Sequence, residues 1–203
     1  MMSKITCPNC SSQNTCQILY GLVGLDDKLN EDLGAGRVHL GGCVMSGEDP
    51  DRHCNECEID FDTKAPNIYL DIDGALLAND LTPANHAKEF LKKVLEEYPY
   101  TTYWLTTHCQ GDANVPIQHI GHLFDAETVE LMKKIKPTTW DMAKTRAIDF
   151  SKPFLWFDDD MFYEEKQTLL EHGVLDNLIM VDLSKDPDQL GRFITSFPLP
   201  VNT

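Results

Sequence analysis

Asp71 and Asp73 stand two residues apart, directly after the apolar run Asn67-Ile-Tyr-Leu and directly before Gly74. Two carboxylates at this spacing concentrate acid at the end of a strand; taken alone, the pair also reads as an acidic loop. Gly74 lets the chain turn away from the end of a strand. A second acidic group, Asp158-Asp159-Asp160, follows the apolar run Phe154-Leu-Trp-Phe. Like charges this close repel, so a compensating charge is expected, and a divalent metal would supply it. Asp160 reads as the cap of the helix that follows. A third apolar run, Tyr103-Trp-Leu, ends on the hydroxyls of Thr106 and Thr107. Taken singly, each of these is an ordinary strand end.

At the other end of the chain, Cys7-Pro-Asn-Cys10 and Cys54-Asn-Glu-Cys57 are two C-x-x-C pairs separated by residues 11–53. Each pair forms a knuckle that offers two thiolates, and two knuckles complete the tetrahedral four-cysteine set of structural zinc. A closed site of this kind has no position for a substrate, so it is assigned no catalysis. Cys16 and Cys43 have no partner at ligand spacing and read as buried thiols, and His53 reads as a neighbour of the metal site. The seven cysteines are an odd number, and ligation or burial is expected in place of disulfides. The segment resembles a zinc ribbon, a class whose members bind nucleic acid or protein.

The elements that must position these residues follow from periodicity. Strands are expected at Asn67–Asp71, Tyr103–Thr106, Phe154–Phe157 and Leu178–Val181. Helices are expected from about Pro83 to Tyr98 with Thr82 as cap, from Asp125 through Ile135, from Asp141 to Ile148, through Leu169 and Leu170, and from Asp186-Pro187 onward. Alternation of this kind predicts an α/β layer fold with a parallel sheet, whose ligands bind at the carboxyl ends of the strands. Residues 1–64 hold six of the seven cysteines and seven of the twelve glycines, a composition that buries little core and points to metal as the source of stability. Lys64-Ala-Pro-Asn67 reads as the linker, giving a zinc module over 1–64 and a second domain over 65–203.

The net charge is -16, with 11 acids against 5 bases in residues 1–64 and 22 against 12 in the remainder. Neither part offers the broad basic surface that coats nucleic acid. A phosphorylated nucleic-acid end stays open as a substrate, because a bound metal inverts the local field. No apolar run approaches the roughly 20 residues that span a bilayer, and the amino terminus lacks a secretory apolar core. A cytoplasmic protein with no membrane partner is expected.

The order of motifs over roughly residues 66–196 resembles the haloacid-dehalogenase-like superfamily: an apolar strand then D-x-D-G, a strand ending in a hydroxyl, a lysine, and an apolar strand ending in D-D. The resemblance implies a small Rossmann-like parallel sheet flanked by helices and a magnesium-dependent phosphomonoesterase working through an aspartyl-phosphate. It implies Asp71 as nucleophile and Asp73 as general acid and base. Asp71, Asp73 and Asp158, with the Ile72 carbonyl, would form the magnesium site, and Asp159 would act close by. Thr106, with Thr107 as alternate, would bond a phosphate oxygen. Lys144, with Lys136 as runner-up, would offset negative charge. Ala75 departs from the family's usual Thr or Val without removing a catalytic group. His108 is near enough in sequence to meet a substrate, while Cys109 and the tryptophans at 104, 140 and 156 read as packing. Residues 74–105 and 108–153 are too short for a cap domain beside the sheet's own helices. An open site is therefore expected, suited to a phosphate on a macromolecule, with the zinc module as docking surface. The readings in other classes are an adaptor built on the zinc module and a nucleic-acid end phosphatase.

Overall fold

In the computed structural model, residues 5–24, 26–46, 49–79, 81–197 and 201 are described, and the chain divides into two units between Ala65 and Pro66. The first unit contains strand β1 (Thr15–Leu19), helix α1 (Asp27–Gly34), and strands β2 (Val38–Leu40), β3 (Arg52–Cys54) and β4 (Asp60–Phe61). They form a sheet of order β2-β1-β3-β4, in which β1 and β2 run parallel and the other pairs antiparallel. Strands of two to five residues with little apolar alternation leave no periodic trace in the sequence. The core here is small: Cys7, Cys54 and Phe61, with Ile5, Cys57 and Ile59 packed on them. Cys16 is buried as expected, whereas Cys43 is exposed.

The second unit holds β5 (Asn67–Leu70), α2 (Ala87–Glu97), β6 (Thr102–Trp104), α3 (Asn114–Ile120), α4 (Ala126–Met132), β7 (Phe154–Asp158), α5 (Tyr163–Glu171), β8 (Leu178–Met180) and α6 (Gln189–Ser196). Its four strands form an all-parallel sheet of order β6-β5-β7-β8. Every residue of β5 and β7 is buried, as expected of central strands covered on both faces. Alternation assigns the faces. Ile68, Leu70, Leu155 and Phe157 pack with α2 and α6 through Phe90, Leu91, Val94 and Leu190. Tyr69, Phe154 and Trp156 pack on the other side with Ile148 and Leu169. The register Leu70↔Phe157 brings Asp71 and Asp158 out of neighbouring strands together.

Three sequence-based expectations give way to local chemistry. Thr82-Pro83 does not open α2. Leu76 and Leu77 are buried, and the chain after them doubles back, with Pro83 bridged to Leu77 and the Ala84 N–H donating to the Leu76 carbonyl. The helix starts only at Ala87, behind His86 in a left-handed conformation. Residues 141–148 are not an α-helix. Met142 is left-handed at φ 60°, and only Lys144–Ala147 form a 3-10 turn. Asp160 does not cap α5. Its carboxylate accepts from the adjacent Met161 N–H, and Glu165 reaches back instead to accept from the Phe162 N–H. Asp125 does cap α4, accepting from the Thr128 N–H. His119 falls within α3 and His122 within a 3-10 turn.

The α2–sheet–α6 contact rests on Phe90, which is fully buried, edge-on to Phe157 at 5.1 Å, with Phe193 and Phe197 within 6.4 Å. Phe90→Ala is expected to cost about 3–5 kcal/mol, read as a lowered urea midpoint of tryptophan fluorescence. All three tryptophans lie in the second unit, so this signal reports that unit alone.

Candidate functional site

At the carboxyl edge of the parallel sheet, the carboxylates of Asp71, Asp158 and Asp159 lie within 4.8 Å of one another. Asp71 and Asp158 are buried. The Nζ of Lys144 stands between them, 3.2 Å from Asp71 Oδ2 and 2.6 Å from Asp158 Oδ2. Lys144 arrives on the 3-10 turn, and its backbone N–H is fixed by the buried Glu165 carboxylate at 2.8 Å. Asp158 also accepts from the Trp156 indole N–H at 2.8 Å and from the Asp160 N–H at 3.2 Å. Trp156 and Asp158, two apart on β7, share a face. Asp71 accepts from the Ile72 N–H and from the hydroxyl of Thr106, which is fully buried. Thr107 is exposed. Lys136, the other lysine considered, donates from its ammonium to the Tyr100 carbonyl.

Burial pushes the Asp71 carboxyl above the usual carboxylate range, with Lys144 pulling the other way. Asp158 is pushed up to about 7 by burial and then by Asp71, against the pull of Lys144. Asp159 is raised by burial and by Asp71. For Lys144 itself burial lowers the pKa, but Asp71 and Asp158 outweigh it and the net shift is upward. One ammonium thus faces three acids, and the donor set, hard carboxylate oxygens on a partly enclosed edge, could hold a divalent cation. Gly74 is what admits Asp159: at φ +74° its missing Cβ would overlap the Asp159 carboxyl group. Beside these acids lies a cavity of about 180 Å³ lined by Gly74, Asn79, Asp159 and Val181–Ser184.

Two members of the expected metal set are elsewhere. The Ile72 carbonyl already accepts from the N–H groups of Leu76 and Leu77, at 2.8 and 2.9 Å, which engages both of its lone pairs. Asp73 does not join the three-acid cluster. Its Oδ2 lies 2.7 Å from His108 Nε2, and the His108 ring stacks on His119 at 3.7 Å. Its side chain is 47% exposed, so it stands at the solvent side of Asp71. The sequence singled out His108 but not His119; the two are brought together across a loop, since α3 begins only at Asn114. It also missed Glu165, a buried acid three residues into a helix whose cap position is occupied by phenylalanine.

In the first unit, Cys7, Cys10, Cys54 and Cys57 form a four-cysteine cluster that could bind zinc. Cys7 Sγ lies 3.7 Å from Cys57 Sγ and Cys10 Sγ 3.6 Å from Cys54 Sγ. A tetrahedron with zinc–sulfur bonds of about 2.3 Å has edges near 3.8 Å, whereas a disulfide requires about 2.05 Å. The two knuckles fold alike. Ser11 N–H donates to the Cys7 carbonyl and Glu58 N–H to the Cys54 carbonyl, with Ser11 and Glu58 both left-handed. Cys7 N–H donates to Ser12 O and Cys54 N–H to Ile59 O. Burial raises the Cys54 thiol, but the N–H groups of Cys57 and Glu56 outweigh it and bring it down to about 7. His53 sits beside the cluster, bonded through Nδ1 to Asp60 at 2.7 Å and stacked on His39.

Comparison of the chain with protein-family models, with curated proteins and with solved structures returns no match.

Purified protein is expected to carry about one zinc per chain, and Cys54→Ser to lose it, by metal analysis; a folded, metal-free first unit would overturn the assignment. For the acids, the sign of the pH effect is fixed by direction. The folded pKa of Asp158 lies above its unfolded value, so its protonated form favours the fold. Its contribution to stability is present below about pH 4 and is lost as pH rises toward about 7. Without divalent cations, the urea midpoint of tryptophan fluorescence should fall over that interval, and Asp158→Asn should flatten the fall.

Proposed function

We propose that residues 66–203 are a magnesium-dependent phosphomonoesterase of the haloacid-dehalogenase-like type, acting through an aspartyl-phosphate. One observation carries this reading: a lysine held between two buried carboxylates from adjacent strand ends, with a third acid within reach and a half-exposed aspartate two residues from the first. A structural ion pair needs one acid per cation; a site that must receive a trianionic transition state and a divalent cation needs this excess of hard oxygen donors. Asp71, Asp158 and Asp159 fit magnesium by donor chemistry and by the upward shifts of their carboxyls. When bound, magnesium neutralises charge on the phosphoryl oxygens and keeps Asp71 ionised.

In the first step an Asp71 oxygen attacks phosphorus and the bond to the leaving oxygen breaks. Asp73 delivers a proton to that oxygen, releasing the alcohol. In the second step Asp73, now a carboxylate, takes a proton from water; the water oxygen attacks phosphorus and the bond to Asp71 breaks, releasing phosphate. The His108 imidazole, hydrogen-bonded to Asp73, fixes the direction of that carboxyl. The Thr106 hydroxyl and Ile72 N–H orient Asp71 for attack, and Lys144 offsets the negative charge gathered there. A second reading, in which the cysteine module recruits a partner, is favoured by the exposed Leu22, Val44 and Met45 of the first unit.

Asp71→Asn should abolish magnesium-dependent release of phosphate from phosphomonoesters, and Asp73→Asn should slow it on the order of 10²-fold or more. Steady-state assays with acid-quench trapping of a phosphoenzyme check both. Wild-type turnover by Asp71→Asn would overturn the proposal.

A further inference from the structure

An apolar groove of about 430 Å³, lined by Met142, Ala143, Phe162, Tyr163 and Glu164, lies on the second unit. Its large apolar side chains are turned to solvent: Met142 is 74% exposed, Phe162 62% and Tyr163 76%. Each wall is chain-adjacent to the acid cluster. Met142 and Ala143 immediately precede Lys144, and Phe162 follows Asp158–Asp160. Two residues of chain and one lysine side chain keep the groove within about 17 Å of Asp71.

The walls are built rather than incidental. Glu165, 1% exposed, accepts from the Lys144 N–H with one oxygen and from the Phe162 N–H with the other, at 2.8 and 2.9 Å. One buried carboxylate thus ties the groove's two sides to each other and to the lysine that bridges Asp71 and Asp158. Met142 is held outward by a tight turn in which the Ala143 N–H donates to the Asp141 carbonyl at 2.6 Å, at a left-handed φ that a non-glycine residue adopts only under constraint. Glu164 is the one charged residue lining the groove; of the exposed charges flanking it in sequence, Arg146 pairs with Asp141 and also donates to Met142 Sδ at 3.6 Å, which leaves Asp160 and Glu164 against Lys166.

Resting on the phosphohydrolase reading, we propose that this groove selects the substrate: it seats an apolar side chain close in sequence to the phosphorylated residue of a peptide whose flanks are basic. The apolar walls take the side chain, and the acidic rim, within a unit that carries 22 acids against 12 bases from residue 65 onward, favours cationic flanks and repels a polyanionic nucleic acid. A free small phosphate would leave Met142, Phe162 and Tyr163 uncovered and gain nothing from them.

The experiment uses the full chain with magnesium and four probes: glycerol phosphate, a phosphoserine peptide with Leu or Phe placed in turn at each neighbouring position among lysines, the same peptide with Ala there, and a 5′-phosphorylated oligonucleotide. The expected result is a kcat/KM about tenfold or more higher for one apolar-flanked peptide than for its Ala counterpart, the scale set by burying one large apolar side chain. Phe162→Ala should lower that ratio toward one. Binding of the labelled peptide to Asp71→Asn, by fluorescence polarisation, should weaken about tenfold when Phe162→Ala is added, and this readout does not depend on turnover. Equal rates on apolar and Ala peptides, a ratio that survives Phe162→Ala, or preference for the oligonucleotide would each overturn the groove. Failure to hydrolyse any probe, with Phe162-dependent peptide binding intact, would overturn the phosphohydrolase reading and leave the groove standing.

Discussion

The ammonium group of Lys144 sits between two carboxylates that burial would otherwise discharge. Taking a single ionised group out of water costs several kcal/mol even after relaxation, and a like-charged neighbour adds to that cost. The two carboxylates of the triad are hydrogen-bonded as well, Asp158 by the Trp156 indole and Asp71 by the Ile72 N–H and Thr106, while Glu165 fixes the backbone that carries Lys144. The sheet supplies the spacing, since neighbouring parallel strands lie about 4.8 Å apart and β5 and β7 end together. The 3-10 turn supplies the cation. A regular helix over 141–148 would have committed the Lys144 N–H to a helical carbonyl instead of Glu165.

The cysteine module meets a parallel problem with different chemistry. It buries too few apolar side chains to stabilise itself, and its four sulfurs are gathered at separations that suit a metal and not a disulfide. The two knuckles adopt the same turn despite unlike sequences, Cys-Pro-Asn-Cys-Ser and Cys-Asn-Glu-Cys-Glu. Each places a non-glycine residue in the left-handed region, a conformation costing roughly 1–2 kcal/mol, which points to ligation as the interaction that overrides local preference.

What was legible in the sequence was whatever repeats with a period or sits at the end of a periodic run. The four strands of the parallel sheet, Asp71, Thr106, Asp158 and the cap at Asp125 belong to that class, as does the four-cysteine cluster by its C-x-x-C spacing. What was not legible depends on contacts between distant residues. Nothing near Ile72 announces that its carbonyl is consumed by Leu76 and Leu77, nor near Asp73 that an imidazole from position 108 will turn it away from the other acids. Thr82-Pro83 carries a sound helix-start signal that loses to the burial of Leu76 and Leu77. Glu165 reads as one more surface acid until its two oxygens are seen to bind segments on either side of the site.

The strand order β6-β5-β7-β8 also sets a sequence of events during synthesis. β5 is completed at Leu70, but its central partner β7 begins only at Phe154. At translation rates of about 5–20 residues per second, Asp71 waits several seconds before Asp158 exists. In that interval Asp71 stays hydrated and carries none of the electrostatic cost it meets in the finished fold. The three-acid cluster cannot form before β7 is made, and by then Lys144 has been made as well. The cysteine module, whose last strand ends at Phe61, can by contrast capture its metal while most of the chain is still unmade.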